Sequence, residues 1–388
     1  MTVHGWWRRL RALVDRDPHL VVGYRSFGTP TRVLVRGRAL EDEGITRAGE
    51  RDSLWRNLIN SWRRIESDPL GYAQVRATIG GTSLELEADD EGFFHGWLEL
   101  PTPLAASGWT PLGLELLAPT HPGAAPVRAT GQVLILPPSA RFLVVSDIDD
   151  TVLQSHVTSI AQALRTVLLG NARTRLPFPG VAAFYRALSA GATGSEGNPI
   201  FYVSSSPWNL YDLLEDFLAL QGIPAGPLTL RDWDWERSAL GSGRLHGFKS
   251  RAIREILDAF PATPVVLIGD SGQRDPEIYA QLVREFPERI LAVYIRDVKR
   301  TPERRAAVAA LVEEVETARS VLVLADDTVA AAVHAAERGL LDPAALTEIR
   351  GEKRQDEAAA PGKAGAPAVE PGAPTDTPIV IDAEREGR

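Results

Sequence analysis

The most regular pattern of apolar and polar positions lies between residues 19 and 137. Leu20–Tyr24 and Thr31–Ala39 open it, and the second of these alternates almost residue by residue. A period of two predicts half-buried β-strands. Further strands are predicted at Gly71–Ile79, Thr82–Ala88, Gly92–Glu99, Leu112–Ala118 and Val127–Leu136. Several short strands separated by Gly, Pro and Asp favour a β-sandwich-like domain over residues 19–137.

Two segments of this first half have helical rather than strand spacing. Residues 1–18 combine Trp6, Trp7 and Leu10 with arginines, which predicts a short amphipathic helix. Such a helix either packs on its own domain or lies in a membrane interface, and the sequence leaves both open. Arg51–Glu66 repeats apolar residues every three or four positions, so a helix inserted into the β-domain is predicted.

A different pattern begins after Pro137-Pro138, a pair that suits a connector between domains. Strands are predicted at Phe142–Val145, Pro199–Val203, Val265–Ile268, Ile290–Ile295 and Val321–Leu324. Helices are predicted at Ile160–Leu169, Gly180–Ser189, Leu210–Gln221, Lys249–Phe260, Glu277–Phe286, Pro302–Thr317 and Asp327–Arg338. This alternation predicts an α/β domain over residues 140–345, with a mostly parallel sheet covered by helices on both faces.

The last segment, residues 351–388, is rich in Ala, Pro, Gly, Glu and Lys and has little apolar patterning. Such a composition buries too little apolar surface to offset the entropy of ordering the chain. A disordered tail is therefore predicted there.

Composition and charge narrow the function classes. The 388 residues carry a formal net charge of −9, which argues against a general nucleic-acid-binding protein. Cysteine is absent, so disulfides, thiolate metal sites and cysteine nucleophiles are excluded. The sequence shows no apolar run of about 18 residues and no signal-peptide pattern at its N-terminus, and a cytoplasmic protein is the resulting expectation.

The first candidate catalytic residues are acidic residues that closely follow the predicted strand Phe142–Val145. Asp147 and Asp149 are two residues apart, and Thr151 comes two residues later. Ligands bind at the carboxyl ends of strands in open α/β sheets. One carboxylate can attack phosphorus while the other transfers the proton, so the pattern suits phosphoryl transfer.

Three further signals follow other strands or open helices. Ser204 and Ser205 end one strand, Lys249 opens a helix, and Asp270 and Asp275 follow another strand. The hydroxyls can donate to phosphate oxygens, the lysine can balance phosphate charge, and carboxylates are suitable ligands for Mg²⁺. In a parallel sheet these side chains converge on one edge. Spacing alone leaves open which of the last two aspartates is the main metal ligand.

The order strand–DxDxT, strand–Ser, Lys, strand–GD…D resembles the four motifs of haloacid dehalogenase-like phosphohydrolases. More narrowly, Ser146–Val152, Phe201–Leu218 and Ile268–Tyr279 resemble the catalytic domain of App1-type phosphatidate phosphatases, which are relatives of lipins. The resemblance extends roughly over residues 140–298. It implies Mg²⁺-dependent removal of phosphate from phosphatidate to give diacylglycerol, through an aspartyl-phosphate.

The resemblance also implies residue roles. Asp147 would be the nucleophile and Asp149 the acid and base, with Mg²⁺ held by Asp147, the Asp149 carbonyl and Asp270 or Asp275. Independently of the resemblance, the short segments between motifs leave no room for a large cap domain, so the site is expected to be open to a bulky substrate, such as a lipid in a bilayer or a phosphorylated macromolecule. A phospholipid substrate would add transient, peripheral contact with a membrane surface. Two alternatives stay open: a phosphatase of the same mechanism acting on another bulky phosphomonoester, and a non-catalytic phospholipid-binding module.

Overall fold

The computed structural model describes residues 18–41, 68–121, 123–148, 179–231, 247–298, 301–317 and 320–358. The chain divides into two compact units. One unit comprises residues 1–138, 209–216 and 226–228, and the other comprises residues 139–208, 217–225 and 229–388. The helices predicted at Thr2–Val14, Arg51–Glu66 and Ile160–Leu169 lie outside the described residues.

The first unit is built of β-strands. They are β1 His19–Gly23, β2 Ser26–Thr29, β3 Arg32–Glu41, β4 Gln74–Ile79, β5 Thr82–Glu87, β6 Phe93–Glu99, β7 Gly108–Ala118 and β8 Arg128–Ile135. The predicted strands are all present, and only the short β2 was missed among those described. The order β1-β3-β2-β8-β7-β4-β5, with β6 beside β3, joins all eight into a single hydrogen-bonded sheet. A β-sandwich consists of two separate sheets, whereas all eight strands here belong to one hydrogen-bonded sheet. The predicted β-sandwich is therefore not confirmed.

The turn between β4 and β5 shows how local sequence sets the register of this sheet. Gly80 and Gly81 both have positive φ angles, 56° and 78°. A two-residue hairpin turn of the type that matches strand twist needs positive φ at both positions, which glycine adopts without steric cost. The turn pairs Ile79 with Thr82 and places the apolar residues of β4 in the core of the unit.

The second unit is α/β, as predicted. Its strands are β9 Leu143–Asp147, β10 Ile200–Pro207, β11 Leu228–Arg231, β12 Val265–Asp270, β13 Ile290–Arg296 and β14 Leu322–Ala325. Its helices are α1 Val181–Ala190, α2 Tyr211–Leu220, α3 Gly247–Ala259, α4 Asp275–Glu285, α5 Pro302–Thr317, α6 Thr328–Glu337 and α7 Leu346–Ala358. Helix α2 is divided between the units, because its residues up to 216 belong to the first unit and the rest belong to the second. Short 3₁₀ turns cover Trp208–Leu210 and Pro343–Ala345.

The strands of this unit lie in the order β11-β10-β9-β12-β13-β14. The pairs from β10 to β14 are parallel. The central strands β9 and β12 are buried along their whole length, which explains their continuous apolar runs. Among the described residues, no helix combines the length and apolar character needed to cross a membrane.

The predicted disordered tail is wrong at its start. Helix α7 continues through Gly351 to Ala358, and the rest of the tail lies outside the described residues. Only Ile349 of this helix is buried, so packing contributes little. Instead the carboxylates of Glu352 and Asp356 each accept a hydrogen bond of 2.8 Å from backbone amides at the start of α1. Carboxylates at a helix N-terminus are favourable because they satisfy free amides and oppose the helix dipole.

A buried histidine in α6 makes the stability of this unit depend on pH. His334 is 6% exposed, and its Nδ1 lies 3.1 Å from the hydroxyl of Tyr294. Burial, together with the smaller effect of the nearby charge of Arg338, lowers the pKa of His334 to about 4. In the unfolded chain a histidine binds a proton near pH 6.5. Acid therefore favours the unfolded state, so stability is complete above about pH 6.5 and is lost as pH falls toward 4.

We expect wild type to lose about 1–3 kcal/mol more stability than His334→Gln between pH 6.5 and pH 4. Glutamine keeps a polar group near Tyr294 but does not titrate. Urea denaturation at several pH values measures the difference. Equal pH dependence of the two proteins would contradict this assignment.

Candidate active site

Two carboxylates end neighbouring strands of the parallel sheet. Asp147 is the last residue of β9, and Asp270 is the last residue of β12. Strand β10 pairs with the other side of β9, with Val203 opposite Asp147, and continues through Ser204. The carboxyl edge of the sheet thus places the serine strand and Asp270 on either side of Asp147. This is the edge at which parallel sheets bind ligands.

Two helices add a cation and a third carboxylate. Lys249 lies in the first turn of α3, and Asp275 is the first residue of α4. The Nζ atom of Lys249 lies 2.8 Å from Asp147 Oδ2 and 2.9 Å from Asp275 Oδ1. Side-chain exposure is 7% for the lysine, 2% for Asp147 and 0% for Asp275. Buried charges of this kind are rare unless they are paired, as they are here.

The three aspartates form a compact acidic cluster. One ligand oxygen each from Asp147, Asp270 and Asp275 lies within 4.8 Å of the other two. Burial raises the pKa of Asp275, and the charge of Asp270 raises it further, while Lys249 opposes the shift. Carboxylate oxygens converging in this way are the donor set of hard divalent cations such as Mg²⁺. The residues present therefore fit such a cation.

The loop Ser271–Arg274 fixes the two aspartates that flank it. Asp270 Oδ1 accepts hydrogen bonds from the backbone amides of Gly272, at 2.7 Å, and Gln273, at 3.2 Å. Asp275 Oδ2 accepts one from the backbone amide of Asp270, at 3.2 Å. Aspartate commonly stabilises a turn by bonding amides two residues ahead. Both oxygens of Asp275 are thus engaged with protein donors, since its Oδ1 accepts from Lys249.

The serines predicted to bind phosphate lie on the strand beside Asp147. Ser204 is fully buried, and its Oγ accepts a hydrogen bond of 3.1 Å from the backbone amide of Ser206. Ser205 is the next residue of β10 and is half-buried. Asp149 and Thr151, the remaining predicted site residues, lie outside the described part of the chain. The structure thus brings four predicted residues into contact range and places the serines on the adjacent strand.

Sequence reasoning missed one residue that touches this cluster. The Oε1 atom of Gln273 accepts a hydrogen bond of 3.1 Å from Lys249 Nζ. Gln273 follows Asp270 by three residues, but a glutamine in a loop carries no distinguishing pattern. Its place between two predicted site residues was the available signal.

The close approach of Asp275 to β12 requires glycine at position 269. A Cβ atom on Gly269 would lie 2.5 Å from Asp275 Oδ2 and 2.8 Å from Asp275 Cβ. Overpacking of a tight site costs about 1–3 kcal/mol. We expect Gly269→Ala to lower stability by that amount and to displace Asp275 from the cluster.

Thermal unfolding and Mn²⁺ titration measure the two effects. Gly247→Ala is the matched control, because a Cβ there meets no atom of the described residues within 4 Å. A Gly269→Ala protein with wild-type melting temperature and Mn²⁺ affinity would show that the close approach is unimportant.

Comparisons with known proteins cover part of the chain. Residues 142–297 match the family described as "Phosphatidate phosphatase APP1, catalytic domain". The Saccharomyces cerevisiae protein "Phosphatidate phosphatase APP1" is 32% identical over 153 residues, which are 39% of this chain and 25% of that protein. An uncharacterized protein from Schizosaccharomyces pombe is 33% identical over 161 residues, 40% of this chain and 25% of its own length. The chain thus spans about a quarter of the length of these relatives.

The solved structure of a carbohydrate acetylesterase from Xanthomonas citri is 13% identical in sequence, with a TM-score of 0.23. Its alignment covers 70% of this chain and 65% of the acetylesterase chain. At that score it carries no information about this fold. The family match and the similarity to the yeast protein confirm the predicted resemblance to App1-type phosphatidate phosphatases for residues 142–297. This segment holds Asp147, Lys249, Asp270 and Asp275.

Proposed function

We propose that this protein is a Mg²⁺-dependent phosphatidate phosphatase that releases phosphate and diacylglycerol. The observation that carries the proposal is the buried cluster of Asp147, Asp270 and Asp275 around Lys249, within a segment that matches the APP1 catalytic domain. The related yeast protein is described as a phosphatidate phosphatase. The haloacid dehalogenase-like motifs of the sequence support the same class of phosphoryl transfer.

Asp147 and Asp270 are the ligands we assign to Mg²⁺, with Asp275 nearby and the Asp149 carbonyl added by the resemblance. We prefer Asp270 to Asp275 as the second metal ligand because both carboxylate oxygens of Asp275 already accept hydrogen bonds, one from Lys249 and one from the backbone. When bound, the cation would supply positive charge against the phosphate oxygens.

Asp147 is the proposed nucleophile. Its carboxylate oxygen forms a bond to phosphorus as the bond from phosphorus to the glycerol oxygen breaks, which gives an aspartyl-phosphate and diacylglycerol. Asp149 donates the proton that the leaving oxygen needs. It then takes a proton from the water that attacks the intermediate, so inorganic phosphate leaves and both aspartates are restored.

The remaining residues bind and balance charge. Lys249 lies 2.8 Å from Asp147, which favours the ionised form that a nucleophile requires. Its charge would also compensate the phosphoryl group, with hydroxyl donors from Ser204, Ser205 and Thr151. A substrate in a bilayer requires the protein to meet a membrane surface, so peripheral membrane contact belongs to the proposal.

Phosphate release from phosphatidate vesicles tests the proposal. The vesicle assay is run beside soluble phosphomonoesters, with Mg²⁺ and with excess chelator. We expect Mg²⁺-dependent release that is much faster from vesicles. Release from soluble compounds alone would instead support a phosphatase for another substrate. Vesicle binding without release from any substrate would support a phospholipid-binding module.

A further inference from the structure

Gln273 connects two residues of the acidic site, Asp270 and Lys249, with a third residue, Arg304, on helix α5. Its backbone amide donates to Asp270 Oδ1, its side-chain Oε1 accepts from Lys249 Nζ, and its carbonyl oxygen accepts from the guanidinium of Arg304. The first two contacts reach a carboxylate and the cation of the cluster. The third reaches a residue on helix α5, outside the segment that matches the APP1 family.

Arg304 holds the loop Ser271–Arg274 at several points. Its Nε donates to the carbonyl oxygen of Ser271 at 2.7 Å, and Nη2 donates to that of Gln273. The same guanidinium forms a two-pronged ion pair with Glu277 in the first turn of α4, the helix that Asp275 opens. One side chain therefore ties the loop to the helix that follows it.

The ion pair between Arg304 and Glu277 is partly shielded from water. The side chain of Arg304 is 15% exposed and that of Glu277 is 34% exposed. Although burial acts in the opposite direction, the hydrogen bond from Arg304 lowers the pKa of Glu277, and the same bond raises the pKa of Arg304.

The start of helix α5 directs Arg304 to this position. Thr301 Oγ1 accepts a hydrogen bond of 3.3 Å from the backbone amide of Arg304, and Pro302 opens the helix. Threonine before a helix and proline at its first position are both strong start signals. The local sequence thus fixes the helix end that presents the guanidinium to the loop.

We propose that Arg304 is a positioning residue for the acidic site, acting through Gln273 on Asp270 and Lys249. The inference rests on the proposed function in so far as the cluster binds a divalent cation. Partners that orient metal ligands typically change metal affinity or activity by about 10–100-fold when removed. Arginine is needed because its planar fork reaches several acceptors at once, whereas lysine presents a single ammonium group.

Mn²⁺ binding followed by electron paramagnetic resonance tests the inference without relying on catalysis. We compare wild type, Arg304→Met, Arg304→Lys and Gln273→Ala well below their melting temperatures. The expected result is Mn²⁺ affinity about 10–100-fold weaker for Arg304→Met, with little rescue by Arg304→Lys. The double variant Arg304→Met with Gln273→Ala should bind no more weakly than Arg304→Met, because residues acting in series are not additive.

Arg254→Met is the matched control. Arg254 forms a two-pronged pair with Glu285, with both distances 2.8 Å, between α3 and α4 and away from the loop. Its loss should leave Mn²⁺ affinity within about twofold of wild type. A lowered melting temperature with wild-type Mn²⁺ affinity in Arg304→Met and Arg304→Lys would overturn the inference, because that is the signature of a structural ion pair. No Mn²⁺ binding by wild type would overturn it as well.

Turnover separates this inference from the proposed function. The expected pattern in the phosphatidate assay is a lower kcat and a higher Mg²⁺ requirement for the Arg304 variants, with a similar KM for the lipid. If wild type releases no phosphate but the Mn²⁺ affinities shift as stated, the proposed function fails and the positioning role stands. If wild type is active and the Arg304 variants match it, the positioning role fails alone.

Discussion

Asp147→Asn is expected to lower phosphate release by about 10⁴–10⁶-fold at saturating Mg²⁺, the range observed in enzymes when one member of a catalytic triad is removed. The amide of asparagine has nearly the size of the carboxylate but is a very weak nucleophile, so the aspartyl-phosphate cannot form. The protein should remain folded. Substitution removes one of three negative charges in the cluster and keeps the side chain in its space between β10 and β12.

The measurement is phosphate release from phosphatidate vesicles at increasing Mg²⁺. The Mg²⁺ series matters because Asp147 is also a proposed metal ligand, and weaker binding alone would be overcome at high concentration. Asp258→Asn, on the exposed side of α3, is the matched control and should keep wild-type activity. Recovery of more than about a tenth of wild-type turnover by Asp147→Asn at high Mg²⁺ would show that another group attacks phosphorus.

Most of the α/β unit could be predicted because each element carries its own pattern. The strands β9 and β12 are apolar runs buried on both faces, and their lengths and punctuation distinguish them from helices. The β-unit was also predictable strand by strand. The order in which these strands pair could not be predicted, because the pairing of β3 with β1 and with β6 depends on contacts between residues far apart in the sequence.

The part of helix α7 from Gly351 to Ala358 was predicted to be disordered tail for a physical reason. Its residues are polar, so composition indicates that it cannot form a packed core. The structure stabilises it through partners supplied by the rest of the unit: backbone amides of α1 bind its carboxylates, and Arg186 pairs with Glu348 at 2.8 Å. A rule based on local composition cannot detect hydrogen-bond partners that lie 162 to 176 residues earlier in the chain.

In the acidic site, too, some residues could be predicted from the sequence and others could not. Asp147, Lys249 and Asp270 were predicted because each follows a strand or opens a helix, and sheet topology brings such positions together. Gln273 and Arg304 were not, because no local sequence pattern marks their contacts, which are a side-chain hydrogen bond from Lys249 to Gln273 and hydrogen bonds from Arg304 to backbone carbonyls of the loop. Positional logic therefore finds the charged groups of a site more readily than the residues that orient them.

Lys249→Met is expected to lower the free energy of unfolding of the metal-free protein by about 3–5 kcal/mol. Methionine has a similar length and no charge. Its introduction leaves Asp147 and Asp275 buried without the cation that lies within 2.9 Å of each. The three carboxylates, which each place one oxygen within 4.8 Å of the other two, then repel one another in a medium of low dielectric constant.

Mg²⁺ should restore much of this stability, because a cation in the cluster replaces the missing charge. Binding to the folded state alone stabilises it by mass action. The melting temperature of Lys249→Met should therefore rise more on addition of Mg²⁺ than that of wild type. Lys353→Met is the control: its partly exposed pair with Asp327 should contribute about 1 kcal/mol or less, with no dependence on Mg²⁺. Equal Mg²⁺ shifts in wild type and Lys249→Met would contradict the charge argument.

Activity should not recover together with stability. The metal can replace the charge of Lys249 within the acidic cluster. In the proposed mechanism Lys249 also balances the charge of the phosphoryl group, and one bound metal ion cannot supply both charges. At saturating Mg²⁺ we expect Lys249→Met to be folded and still at least about 100-fold slower than wild type, since removing one electrostatic contact to the transition state costs about that factor. Full recovery of phosphate release would mean that Lys249 serves only to neutralise the buried carboxylates. A folded but slow variant separates the two roles of one side chain, stabilising the acidic cluster and promoting phosphoryl transfer.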